Sequence, residues 1–220
     1  MARLETGQVG TFRGKVGQVV VAKWRDVLVG KKTPTKSGKP GSDEQIDQRS
    51  KFGLVTKFFR GLGEVIKLGY QSQKTGMTPI NAAVQYHLVN AVTGIFPNYA
   101  LDYSKIVLSN AINGVEIDGG FAPTAVPAPD CIVNITWQLS DRNYLKATTP
   151  DDLLSIIIYS LTKKKFIIYD RVVSRSALKY DVELPRIFVN DVCHGYMFFT
   201  SPKGKAVSYS EYLGQFKLLP

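Results

Sequence analysis

Cysteine and histidine are nearly absent, at two residues each in 220. Cys131 and Cys193 stand 62 residues apart and Cys193 is flanked only by His194, so neither a disulfide scaffold nor a Cys/His metal centre is expected, and the thiols read as ordinary core residues. No apolar run approaches the roughly 18 residues that a membrane helix requires. The opening Met-Ala-Arg-Leu-Glu-Thr-Gly lacks the apolar core of a secretory leader, so the expected address is the cytoplasm or a particle assembled there. Catalytic signatures are missing too. No nucleophile stands at useful spacing from a base, no Gly-x-Gly-x-x-Gly is present, and His87 has no Ser, Cys or carboxylate partner in the sequence around it. No cofactor, metal or small-molecule substrate is expected, and the chain reads as a non-enzyme.

Acidic residues are scarce at the front. Residues 1–80 hold 6 Asp/Glu against 15 Lys/Arg, a net charge of +9, while residues 81–220 hold 12 against 13, a net charge of +1. Attraction to a polyanion should therefore be local to the front module. With 44% hydrophobic residues the chain has enough apolar material to bury a core without staples.

Glycine is not scarce there. Gly10, Gly14 and Gly17 punctuate Gly-Thr-Phe-Arg-Gly-Lys-Val-Gly, which invites comparison with a phosphate cradle. A Walker loop needs glycine at 9 and a hydroxyl at 16, where the chain has Val9 and Val16, so a glycine turn feeding a strand is the simpler reading. Val16–Trp24 and Asp26–Val29 predict a β-hairpin carrying Lys15, Lys23 and Arg25. Residues 31–41, with Lys31, Lys32, Lys36 and Lys39 among prolines and glycines, predict an exposed basic loop.

Ser42-Asp43-Glu44-Gln45 is a capping box and starts a long helix, with Val55, Phe58, Phe59, Leu62, Val65 and Ile66 on one face and Lys57 and Arg60 near the other. Gly61 and Gly63 predict a break or kink. Thr78-Pro79 opens a second helix over 79–93, with Gly94 as its C-cap. His87 on that helix reads as a hydrogen-bonded structural residue.

Short β-rich runs follow: 103–109, 131–138, 153–161, 166–173, 178–184, 193–201 and 206–213. The Gly/Ala/Pro stretch 119–130 reads as a linker. The fold class is thus α+β, with an N-terminal hairpin and two helices (1–100) followed by an antiparallel β-sandwich (101–220) similar to immunoglobulin or fibronectin type III domains. Lys163-Lys164-Lys165 reads as a solubilising hairpin tip, and Asp151-Asp152 as a loop.

The opening Gly7-x-x-Gly10-x-Phe12-x-Gly14-Lys15-Val16-Gly17-x-Val19-Val20 is followed by Trp24-Arg25, Gln48-Arg49-x-Lys51-Phe52, Asn81-Ala82-Ala83 and Asp102-Tyr103-Ser104-Lys105. Together with the ending Val207-Ser208-x-Ser210-x-Tyr212-Leu213-Gly214, these resemble an uncharacterised protein family widespread in Bacteroidota. The resemblance implies a bacterial or phage source from that phylum, and the family is of unknown function, so no activity or site residues carry over from it.

Two functional expectations stand side by side. One is a structural or assembly protein that docks onto protein partners, or onto itself, through the basic glycine-rich module. The other is a nucleic-acid-binding protein using the same surface. The binding residues expected are Arg13, Lys15, Lys23, Trp24, Arg25, Lys31, Lys32, Lys36, Lys39, Lys57 and Arg60.

Overall fold

Triple valine at 19–21 and the glycine turn before it organise the N-terminus of the computed structural model, in which residues 2–3, 13–24, 27–35, 38, 40–71, 77–111, 115–139, 145 and 147–220 are described. Strands β1 (Ala2–Arg3), β2 (Gly14–Val16), β3 (Val19–Trp24) and β4 (Val27–Lys32) form one antiparallel sheet in the order β1-β4-β3-β2. The expected hairpin is therefore the middle of a larger sheet. Gly17, at φ +57° ahead of Gln18, supplies the first central position of a two-residue type II′ turn between β2 and β3. Lys31 and Lys32, read as the start of a loop, are instead the last two residues of β4. The β3–β4 register carries them into the ladder opposite Val20 and Val19, and Thr33 N–H closes it on the Gln18 carbonyl at 2.7 Å.

The helices follow their caps. Helix α1 (Asp43–Phe58) begins where Ser42 Oγ accepts the Gln45 N–H at 3.4 Å, with Asp43 and Glu44 at its positive end. It stops at the glycines: Gly61 adopts φ +98°, and α2 (Gly63–Gly69) resumes beyond the break. Helix α3 (Pro79–Asn90) is capped by Thr78 Oγ1 on the Asn81 N–H at 3.2 Å. It ends before Gly94, which is not a C-cap. The chain turns at Phe96-Pro97 into a hairpin of β5 (Val92–Ile95) and β6 (Asn98–Leu101), where Gly94 sits at φ +89° and any Cβ would strike the Asn98 carbonyl oxygen.

Of the expected strands, 103–109 does not form, because Asp102 Oδ1 accepts the Ser104 N–H at 3.1 Å and coils Tyr103–Lys105 into a 3₁₀ turn. Two strands form that were not expected, β7 (Val115–Glu116) and β8 (Phe121–Ala128), and the remaining expected runs form β9 (Ile132–Gln138), β10 (Leu153–Ser160), β11 (Lys165–Ser174), β12 (Lys179–Glu183), β13 (Val192–Thr200), β14 (Ala206–Val207) and β15 (Glu211–Lys217). The run 206–213 divides into β14 and the start of β15. The supposed linker 119–130 is largely strand β8, antiparallel to β9. Its prolines, Pro123 and Pro127, are compatible with a ladder because β8 is the edge of the sheet β12-β9-β8.

The protein is mostly β, with three helices and several antiparallel sheets. The larger sheet runs β11-β10-β13-β14-β7, and β15 also pairs with β13. One hydrophobic cluster lies between it and the three-stranded sheet: Val133, Ile135 and Trp137 of β9 and Val182 of β12 meet Leu154, Ile156 and Ile158 of β10 and Met197 and Phe199 of β13. On its other face, Ile157, Tyr159, Tyr196 and Phe198 form a second cluster with Val55, Phe58, Phe59, Leu62 and Ile66 of the helical segment. Strands β10 and β13 are covered on both sides, which is why they read as unbroken apolar runs rather than alternating ones. Helix α2 comes so close that a Cβ on Gly69 would collide with the Leu108 carbonyl. No helix is long and apolar enough to cross a membrane, among the described residues.

A candidate docking surface on the N-terminal sheet

No residue described in β1–β4 enters either hydrophobic cluster. The sheet carries its own small buried spot at Val21, 2% exposed, while Val16 and Val19 stay open at 61% and 45%. Paired residues on neighbouring strands share a face and successive residues alternate, so the register sorts the lysines. Lys15 and Lys31 flank Val20 on one face. Lys32, beside Val19, and Lys23, beside Leu28, take the other. Arg13, Lys15, Lys23, Lys31 and Lys32 are all exposed, and none pairs with a carboxylate among the described residues.

Lys57 and Arg60 are exposed at the C-terminal end of α1, where cations suit the helix dipole. By element, the expected set comes from two places: Arg13, Lys15, Lys23, Lys31 and Lys32 at the N-terminal sheet, and Lys57 and Arg60 at the end of α1. Trp24 ends β3, with its side chain outside the described set. Arg25, Lys36 and Lys39 also lie outside the described residues.

Several buried titratable groups of the body are committed to structure. His87, fully buried, donates from Nδ1 to the Ala83 carbonyl at 2.6 Å and accepts the Val107 N–H on Nε2 at 2.9 Å. Burial holds its pKa down at about 4. His194 bonds Tyr212 Oη at 2.8 Å and stacks on Tyr103 at 4.4 Å, and burial lowers its pKa as well. Asp152 is buried against Arg175 (Nε to Oδ2, 3.3 Å) and accepts from Thr149 N–H and Oγ1, both at 2.9 Å. Arg175 also donates to the Asp118 carbonyl and lies 4.0 Å over the Phe199 ring. Burial pushes the Cys193 thiol up to about 12, far from a reactive thiolate. Lys163 is no free hairpin tip: it pairs with Asp191 at 2.9 Å and covers the Phe188 ring, leaving Lys164 and Lys165 exposed. Among the described residues no group of three His, Cys, Asp or Glu side chains is placed to hold a metal ion.

Sequence reasoning missed an apolar tip on the β5–β6 hairpin, where Ile95 and Phe96 are 81% and 49% exposed. The Phe96-Pro97-Asn98 turn was the available signal. An open cleft of about 820 Å³ lies beside α2 and β11, between the Glu64–Lys67 and Asp170–Arg171 ion pairs, and its lining charges balance.

The model of a family of unknown function (DUF6266) matches residues 11–214, and the chain belongs to that family. No curated protein matches the chain. Among solved structures, the crystal structure of the FN5 domain of Drosophila Lar is similar over 47% of this chain and 99% of that domain, at 14% identity and a TM-score of 0.33.

Proposed function

We propose that this protein is a non-enzymatic structural or assembly component that docks through its basic N-terminal sheet. In this reading residues 101–220 form a β-sandwich of the immunoglobulin or fibronectin III kind that serves as a contact body, in the cytoplasm or in a particle assembled there. The Bacteroidota origin suggested by the sequence resemblance belongs to the same proposal. One observation carries it. Arg13, Lys15, Lys23, Lys31 and Lys32 stand exposed, without a carboxylate partner among the described residues, on a sheet whose described residues enter neither hydrophobic cluster. In this reading the sheet offers that charge to something outside the chain, since like charges gathered on one module repel one another and strengthen attraction to an anion. The non-enzyme assignment is supported by His87 and the Asp152–Arg175 pair, whose polar atoms serve internal bonds, and by His194, whose Nδ1 bonds Tyr212 Oη.

The test is retention on immobilised heparin, with light scattering across a salt series to read self-association. The full chain should bind at about 50 mM salt and release as salt rises. A chain lacking residues 1–40 should flow through. Equal elution of the two would overturn the reading. Nucleic acid as the anion is the second reading, favoured by the +9 carried by residues 1–80.

A further inference from the structure

Strand β11 is the outermost strand of the large sheet, bonded to β10 on one side and to no other described strand. Over Phe166–Tyr169 its side chains alternate between the two cores. Phe166 packs against the helix–sheet cluster, and Ile167 and Tyr169 against the cluster between the sheets, so the strand is anchored on both faces. Beyond Tyr169 a bulge interrupts the pairing. Ser155 Oγ donates to Asp170 Oδ1 at 3.0 Å and accepts the Arg171 N–H at 3.1 Å, with Arg171 at φ +49°. Among the described residues no backbone hydrogen bond reaches the outer side of Phe166–Tyr169. Two other edges are blunted: Pro123 and Pro127 remove N–H groups from β8, and Lys179, Asp181 and Glu183 stud β12 at alternate positions. The stretch Phe166–Tyr169 has neither proline nor charge.

The cleft of about 820 Å³ opens beside this edge. Ile168, 39% exposed, lines it from β11 together with Asp170 and Arg171. From the other side Glu64, Lys67, Leu68 and Gln71 face it at three- and four-residue steps along α2 and the residues just after. We infer that this cleft takes an extended, uncharged polypeptide segment of another protein, which adds to β11 as a further strand. The site is separate from the basic N-terminal sheet and does not rest on it. A row of unpaired N–H and C=O groups is complemented by another backbone, and a strand facing a helix gives every second side chain of that segment a slot. Those side chains lie between Ile168 and Leu68. Charge selects a neutral occupant: Lys67 pairs with Glu64 at 3.6 Å and Arg171 with Asp170 at 3.0 Å, so the rim offers no net charge to an ion. The regular stretch Lys165–Tyr169 is about 17 Å long, enough for five paired residues. A second copy of the chain is disfavoured as the occupant by its net charge of +10.

The experiment selects binders to the full chain from a random library of peptides of roughly ten residues and measures them by fluorescence anisotropy. Selected peptides should be neutral, with apolar residues at alternate positions, and their affinity should change less than about twofold over about 50–300 mM salt. Methylating every second backbone nitrogen of the peptide should cost about tenfold or more in one parity, where the N–H pairs with β11, and little in the other. That readout leaves the protein itself untouched. On the protein, Ile168→Lys at its part-exposed position should weaken the same peptides about tenfold while the urea midpoint stays in place. No binder from the library, binders indifferent to Ile168→Lys, or equal effects of the two methylation parities would each overturn the inference. A dimer in light scattering that Ile168→Lys dissolves would overturn the choice of partner. Heparin retention should be the same with the peptide bound, so failure of either reading leaves the other standing.

Discussion

Strands β3 and β13 are both rich in β-branched or aromatic residues, and each carries one Lys or His, Lys23 and His194. Their surroundings differ completely. Tyr196–Phe199 of β13 have no exposed surface, gripped by the helices on one side and the three-stranded sheet on the other, whereas Val19 of β3 is 45% exposed and its sheet joins neither cluster. The body spends its apolar residues on cohesion and gives its buried charges partners. The N-terminal sheet leaves lysines unpaired among the described residues on both faces. A surface with little core behind it and a strong charge of one sign is better suited to contact than to stability.

That comparison can be broken most forcefully in the core. Phe198→Ala should cost about 4 kcal/mol in urea unfolding, because the ring is fully buried in the helix–sheet cluster. A loss below about 1 kcal/mol would mean that the layer is not packed as described. Arg175→Met should cost about 3 kcal/mol by leaving Asp152 buried without its cation, and a second change of Asp152 to Asn should recover part of that loss.

The helix–sheet junction should also be acid-labile. His87 is held near pKa 4 in the folded chain against an unfolded value near 6.5, so the unfolded state binds the extra proton first. Its contribution is intact above pH 6.5 and is lost as pH falls toward 4, by roughly 2–3 kcal/mol. Protonation would set a second donor against the Val107 N–H. Urea midpoints measured across that window should show the slope, and His87→Asn should flatten it.

Smaller effects define the other region. Removing residues 1–40 should change the unfolding free energy of the remainder by less than about 1 kcal/mol, leaving the Ser42 cap in place. Val19→Ala should cost less than about 0.5 kcal/mol. A cost near that of Phe198→Ala would show that the sheet has a core of its own.

Much of this was legible from residue type. The capping box at Ser42, the Thr78-Pro79 start, the helix break at Gly61 and the strand runs 131–138, 153–161 and 166–173 are local signals whose physics lies within a few residues, and the elements form there. One failure was local, the run 103–109, which the Asp102 side chain coils into a 3₁₀ turn, and others were long-range. Residues 119–130 look like a linker until β9 lies alongside and makes an edge strand of them. Lys31 and Lys32 look like loop until the β3 register draws them into a ladder. In the candidate site the exposed cations could be named, but not their division between two faces, which depends on pairing parity.

By itself the sequence determined where charge accumulates, where helices begin and break, and which segments are apolar enough to become strands, since each depends on neighbouring side chains and backbone preference. Only the tertiary structure decided that the helices cover the outer face of the large sheet, that β10 and β13 are buried on both sides, and that Lys32 lies on the opposite face of the N-terminal sheet from Lys15 and Lys31. Those outcomes follow from which distant segments pair and in what register, and a shift of one residue would have reversed every face.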